Sequence, residues 1–219
     1  LFGYAHVPWM KSNQQLIREA DLPGPSERFE QSEAAAEKLA AEGYVRIGLD
    51  HYALPDDELA IALAEHRLHR NFQGYTTDAN AVLIGLGASS ISKLPRGFVQ
   101  NHAQERLWRE AINAGRLPTA RGVALTAEDR FRGEIIESLM CDLAVDLDAV
   151  RARHRQAATD LPDLGLSLRR LAPFVEDGLV VAEGGRVAVT EVGRPLVRSV
   201  AATFDAYFDP EAVRHSRSV

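Results

Sequence analysis

Two periods alternate along the first half of the chain. In SERFEQSEAAAEKLAAEG, residues 26–43, Phe29, Ala36, Leu39 and Ala40 share one side of a helix, while Glu30, Glu33 and Glu37 form a solvated face. Ser26 is the expected N-cap, Glu27 and Glu30 suit the positive helix start, and Gly43 is the expected stop. Phe29 is expected to pack inward. Residues 44–52 then alternate, with Val45, Ile47 and Leu49 pointing one way, which predicts a strand. In a continuous strand the neighbours Asp50 and His51 face opposite sides, so they are not expected to pair. Residues 1–7 read as the end of an earlier strand stopped by Pro8, and residues 9–21 as one or two helical turns. Helix followed by strand is one repeat of an α/β layer.

Pro55, with Asp56, Asp57 and Glu58 after it, predicts the start of a second helix. That helix is expected to reach Arg67, His69 and Arg70, whose charge suits its C-terminal end. The apolar run from Val82 to Ile84 reads as a strand leaving the core through Gly85 and Gly87. QERLWREAIN is a helix with Leu107, Trp108 and Ile112 on one side, closed by Gly115. Residues 117–123, with Pro118 and Gly122, read as a linker. Thr126 then caps a helix carrying Phe131, Ile135, Ile136, Leu139 and Leu143 at helical spacing. After a polar segment ending at Leu161 and Pro162, the pattern runs helix, hairpin, helix, with the turn at Glu183, Gly184 and Gly185. The pattern divides the chain into residues 1–125 and 126–219, and the second part resembles a winged helix.

Composition adds limits. At 46% hydrophobic and 26% charged the chain is an ordinary globular mixture, and no apolar stretch is long enough to span a bilayer. A net charge of −6 and a pI near 5.7 argue against a nucleic-acid binder. Residues 126–219 hold 12 Arg, no Lys and 16 Asp or Glu, the wrong footprint for phosphate even in a winged helix. Cys141 stands alone in a helix-like apolar stretch and reads as a buried small hydrophobe. One cysteine fits a reducing, cytoplasmic setting and cannot hold an iron–sulfur cluster. His6 reads as a hydrogen-bonded structural residue. Asp50 and His51 are too few for a metal site. The start LFGYAHVPWM has no features of a signal peptide and reads as the middle of a longer protein.

The densest stretch is HRNFQGYTTDANAVLIGLGASSIS, residues 69–92. HRNFQGYTT, the preceding GLDHYALPDDELA and the opening GYAHVP resemble the second half of oxygen-independent coproporphyrinogen III oxidases, which are radical S-adenosylmethionine (SAM) enzymes. The resemblance implies an α/β fold: late elements of a partial (β/α) barrel of radical-SAM type, followed by a mostly helical, winged-helix-like C-terminal domain. It implies SAM contacts at Ala5, Phe72, Gln73 and Ile91, with Ala5 offering its backbone N–H and Ile91 an apolar plate and a carbonyl. Ala5 and Ile91 are expected to form two walls of one hollow. Gln73 and Arg70 are the candidates for catalysis, and Arg70 for pairing with a substrate propionate, since guanidinium binds carboxylate in a fork. No metal ligand is expected in the chain.

The resemblance further implies a whole enzyme with SAM and one 4Fe-4S cluster. Its substrate is coproporphyrinogen III, and two of the propionates become vinyl groups in protoporphyrinogen IX. The cluster cysteines belong to an N-terminal barrel segment missing here, so these residues alone are expected to be inactive. A haem-binding chaperone of the same superfamily is the alternative. Those relatives replace HRNFQGYTT with an Asn–Trp-type segment, whereas Arg70, Phe72, Gln73 and Tyr75 are all present here. A winged-helix DNA-binding regulator is the remote alternative.

Overall fold

Pro25 opens the first helix. Its ring pre-sets φ for a first helical position, and Gly24 rather than Ser26 is the N-cap of α1 (Pro25–Ala41), with no side-chain cap bond. The computed structural model describes residues 1, 3–9, 11–155 and 161–209. The expected polar segment at 156–160 and the end of the second module at 210–219 lie outside the described residues. The described part of residues 1–7 forms no strand, contrary to expectation. Two short 3-10 turns, Ser12–Leu16 and Glu19–Asp21, stand where helical turns were expected. No residue of α1 is buried, and Phe29 is 42% exposed instead of packing inward. An apolar face made mostly of alanines is too shallow to bury the helix by itself. Gly43 ends the element at φ 86°, as its position suggests.

The expected single strand at 44–52 is a hairpin. β1 (Val45–Ile47) and β2 (His51–Ala53) pair antiparallel, Val45 opposite Ala53 and Ile47 opposite His51. Gly48, at φ 55°, reverses the chain. Leu49 continues the alternation through the turn, which is why the period of two concealed it. α2 (Glu58–Ala64) is capped by the Asp57 carboxylate, which accepts from the Leu59 N–H. It ends well before Arg70. His66 takes a left-handed φ of 53°, and His69 and Arg70 lie in β3 (His69–Asn71), paired antiparallel with β4 (Gly74–Thr76). The run from Val82 to Ile84 is not a strand; Leu83 makes one isolated bridge to Lys93.

β5 (Ile91–Leu94) and β6 (Gly97–Asn101) form a hairpin. α3 (Glu105–Asn113) follows, burying Ala111 while Ile112 points outward at 45% exposure. The expected linker is in fact an edge strand, β7 (Thr119–Ala124), on the far side of β6. Every strand pairing among the described residues is antiparallel, whereas a (β/α) barrel is parallel. The expected late barrel strands are not among these pairings.

The C-terminal part begins with α4 (Ala127–Asp142). Thr126 and Asp129 form a reciprocal capping box there. β8 (Ala144–Asp146), α5 (Leu147–His154), α6 (Gly165–Glu176), β9 (Val180–Glu183), β10 (Arg186–Val189), a 3-10 turn at Arg194–Leu196 and α7 (Val197–Ala202) complete it. The sheet order is β8-β10-β9. Gly184 and Gly185 turn the hairpin at φ 55° and 80°. Phe131, Ile135, Leu139, Leu171, Val187 and Phe204 anchor the core between these elements. A second cluster gathers Ile47, Ala60, Ala62, Leu68 and Tyr75 with Cys141. α4 therefore contributes to both clusters.

Tyr75 ties the clusters together. Its hydroxyl donates to the Met140 carbonyl at 3.0 Å and accepts from the Leu49 N–H at 3.0 Å. Burial raises its pKa, so the hydroxyl keeps its proton and its donor role. Tyr75→Phe leaves both backbone groups unpaired in the interior. It is expected to cost about 1–3 kcal/mol, read as a lower urea midpoint with an unchanged slope.

Cys141 sits at 1% exposure, as the sequence suggests, and burial pushes its thiol up to about 12, with Glu137 adding to the shift. The folded state therefore holds a proton that the unfolded chain releases from about pH 9 upward. This stabilisation is complete below that pH and declines as pH rises toward 12. Alkylation of the native protein at pH 8 is expected to leave Cys141 unmodified until it is unfolded; rapid native labelling would contradict the burial.

Candidate functional site

The hairpin β3–β4 brings the dense motif into a small space. Asn71 accepts from the Gln73 N–H at 2.8 Å through its side chain, which fixes the turn. Gly74 takes φ 136°, and a Cβ there would come within 2.9 Å of the His51 ring, so glycine serves both the turn and the close approach. The turn leaves Phe72 52% exposed and Gln73 exposed. Phe72 meets Phe98 of β6 edge to face, with ring centroids 5.2 Å apart. Phe98 lies opposite Lys93 of β5, the strand that begins with half-buried Ile91. The structure thus joins Phe72 to the sheet that carries Ile91.

Ile91 faces a glycine loop. The carbonyl of Ile91 approaches Gly85 so closely that a Cβ on Gly85 would stand 2.7 Å from its oxygen. Glycine at residue 85 is what lets the loop pack this close to the strand.

Ala5 lies elsewhere. It is exposed on a cleft of about 410 Å³, lined among others by Tyr4, Arg28, Arg46, Asp50 and Arg198. Phe72, Gln73 and Ile91 do not line that cleft, so these residues do not by themselves make Ala5 and Ile91 two walls of one hollow. The Ala5 carbonyl accepts from Gln14 at 3.1 Å, and among the described residues its N–H has no acceptor. That free donor fits a carboxylate. His6 departs from expectation, since its buried Nδ1 has no hydrogen-bond partner.

Asp50 and His51 do pair, with Nδ1 and Oδ1 at 2.7 Å. Asp50 belongs to the turn before β2, so the alternation that separates strand neighbours does not apply to it. The His51 ring stands edge-on to Tyr75 at 5.1 Å. Asp50 lines the Ala5 cleft and His51 backs the Gly74 turn, so the pair connects the two groups of candidate residues.

Arg70 is half-buried, with its guanidinium carbon 5.3 Å from the Tyr75 ring centroid. Its Nε is buried without a hydrogen-bond partner. The nearby Glu137 carboxylate accepts from the Arg70 backbone N–H at 3.4 Å and contacts His69 at 3.2 Å. The guanidinium therefore holds charge that no carboxylate among the described residues bridges. Among the described residues no three metal-ligating side chains meet, and Cys141 is inaccessible. The residues present do not fit an iron–sulfur cluster. No helix is long and apolar enough to cross a membrane among those described.

Three elements of this region were not legible beforehand. Asn101 donates to the carbonyls of Gly87 and Gly85 at 2.9 and 3.3 Å. Ser92, only 7% exposed, accepts from the Gly85 N–H at 3.0 Å. Arg194 donates to Gly48 and Arg46 carbonyls at 3.0 and 2.7 Å, and burial lowers its pKa. No spacing signal marks them: Ser92 reaches 7 residues back, Asn101 14 and 16, and Arg194 146 and 148.

Residues 125–196 match the family described as HemN C-terminal domain. An oxygen-independent coproporphyrinogen III oxidase of Bradyrhizobium diazoefficiens is 49% identical over 100% of this chain and 48% of its own length. One from Cereibacter sphaeroides is 46% identical over 100% and 47%, and the Escherichia coli protein 36% identical over 97% and 46%. The chain thus spans about half the length of these relatives. A solved structure titled "Coproporphyrinogen III oxidase (HemN) from Escherichia coli is a Radical SAM enzyme" superposes with a TM-score of 0.84 at 35% identity, over 94% of this chain and 47% of that one. Along its whole length the chain matches the C-terminal half of the oxygen-independent coproporphyrinogen III oxidases, with a HemN C-terminal domain at residues 125–196.

Proposed function

We propose that this chain supplies the C-terminal half of an enzyme that oxidatively decarboxylates two propionates of coproporphyrinogen III to give protoporphyrinogen IX. The observation that carries the reading is similarity along this whole chain to about half the length of enzymes of that name, joined to the close superposition on a radical SAM structure. Bound SAM, acting with a 4Fe-4S cluster, supplies the radical that removes hydrogen from the propionate. The cluster would be held by residues beyond these 219, and the chain alone is inactive in this reading.

The chain's own residues bind, orient and shield. The Ala5 N–H offers a rigid donor to the methionyl carboxylate of SAM. Ile91 offers its carbonyl and an apolar surface to the adenosine, and Gln73 both donates and accepts beside it. Phe72, braced by Phe98, keeps water from the reacting centre. Arg70 binds a propionate carboxylate, where its unbridged charge finds a partner. Residues 1–125 extend a partial barrel of radical-SAM type whose parallel strands are not among the described pairings, and residues 126–219 form a winged-helix-like domain. The order helix, strand, helix, helix, hairpin, with sheet order β8-β10-β9, supports the latter. That domain serves a structural role in a cytoplasmic enzyme, not nucleic-acid binding, in keeping with its acidic balance.

The test uses the full-length protein with its cluster reconstituted. Gln73→Leu is expected to reduce turnover at fixed SAM by about tenfold or more, the loss of one or two polar contacts at the site. Arg70→Gln is expected to raise the KM for coproporphyrinogen III by a similar factor while leaving SAM affinity unchanged. Full turnover in the Gln73 variant would remove that residue from the site.

A further inference from the structure

The three-stranded sheet carries an irregularity beside the glycine loop. The register between β6 and β7 shifts at Gln100 and Asn101: Gln100 lies opposite Arg121, but Asn101 lies opposite Thr119. A bulge of this kind turns a side chain away from its regular direction, and bulges are frequent next to working sites. The extra residue is Ala120 of β7, and opposite this irregularity Asn101 of β6 extends its amide to the carbonyls of both Gly87 and Gly85. Its own backbone N–H bonds the Ser90 carbonyl at 3.0 Å.

The rest of the loop is fastened from below. Buried Ser92 accepts from Gly85, Gln100 donates to the Ser89 carbonyl at 2.9 Å, and the Ser89 N–H bonds the His102 carbonyl at 2.9 Å. Gly87 and Ser89 take left-handed φ values of 99° and 62°, a conformation the chain holds here against ordinary preference. These bonds press Gly85 against the Ile91 carbonyl and fix where that carbonyl stands. A loop whose only task was to link two elements would not need two carbonyls gathered by one amide.

We infer that Asn101 is a positioning residue for the SAM site: its amide clamps the loop from Gly85 to Gly87 and thereby sets the Ile91 backbone at the depth the adenosine requires. The inference rests on the proposed site at Ile91 and Gln73. It acts through the loop, so Asn101 itself need touch neither cofactor nor substrate. Only the amide nitrogen can serve two carbonyl acceptors. Asn101→Asp keeps the shape but turns an oxygen toward both carbonyls, replacing attraction by repulsion.

The experiment uses the full-length protein and compares Asn101→Asp, the milder Ser92→Ala, and Gln73→Leu. Equilibrium binding of SAM without turnover, KM and kcat, and thermal midpoint are measured for each. Asn101→Asp is expected to weaken SAM binding by about tenfold or more, with kcat at saturating SAM changed by less than about threefold; Ser92→Ala acts in the same direction by a smaller factor. If the Asn101 and Ser92 variants bind SAM as the parent does while Gln73→Leu does not, the clamp is overturned and the site reading stands. A fall in thermal midpoint with SAM affinity intact likewise reduces Asn101 to a purely structural role and overturns the inference. If Gln73→Leu also binds SAM normally, the site reading fails together with the clamp.

Discussion

One phenol hydroxyl sets the geometry of the middle of this chain. Tyr75 extends from β4 under the β1–β2 turn to the last turn of α4, joining segments that are 26 and 65 residues away in sequence. Its ring takes the volume that a side chain at position 48 would need; a Cβ on Gly48 would stand 2.1 Å from it. Arg194 completes the hold from the other side, donating to the Gly48 and Arg46 carbonyls from a site only 13% exposed. The turn is therefore fastened both by a buried hydroxyl and by a buried guanidinium. A rearrangement of either module moves the hairpin that carries Phe72 and Gln73.

Charge in this region follows from the same packing. The Tyr75 ring offers its face to Arg70 and its edge contact to His51, so a cation and an imidazole–carboxylate pair flank one aromatic. An aromatic face stabilises a guanidinium by roughly 0.5–2 kcal/mol but leaves its N–H donors unspent. A buried donor without an acceptor is costly, and such groups are uncommon in folded proteins. Glu137 is near enough to have answered Arg70, yet it is engaged by the His69 ring and by the Arg70 backbone. The carboxylate orders the strand, and the guanidinium stays over the Tyr75 ring.

Sequence periodicity read some elements well and others poorly, for identifiable reasons. Thr126 and the helix after it were legible because capping chemistry and a helical stripe are local signals, and the same holds for the Gly184–Gly185 turn. The β1–β2 turn was concealed because Leu49 keeps step with Val45 and Ile47. The helix assigned through Arg70 failed because a charged end suits a helix dipole but does not prove a helix; the Arg70 and Tyr75 cross-strand pair decides instead. β7 was read as a linker because its residues are all exposed and carry Gly122, and an edge strand outside the core shows no apolar alternation. Motifs singled out Arg70, Phe72, Gln73, Ile91 and Ala5; the structure sets Phe72 against the sheet that carries Ile91 and leaves Ala5 on a separate cleft. Asn101 and Ser92 could not be named this way, since their bonds arise from how the Gly85–Gly87 loop folds back onto β5 and β6, which no residue type announces.

The distance in character between the Ala5 cleft and the Ile91 loop has its own physical sense. Ala5 offers a single backbone donor on a cleft with three arginines, a setting that favours an anion. Ile91 offers an acceptor and an apolar surface beside Phe72 and Phe98, a setting that favours a neutral aromatic plate. Two surfaces so unlike each other need a rigid connection if both are to serve one molecule. The Asp50–His51 pair supplies contact with each, the carboxylate at the cleft and the imidazole against Gly74. Tyr75 then locks that pair to α4. The arrangement makes the relative placement of the two surfaces a property of the hydrophobic core rather than of the loops that carry them.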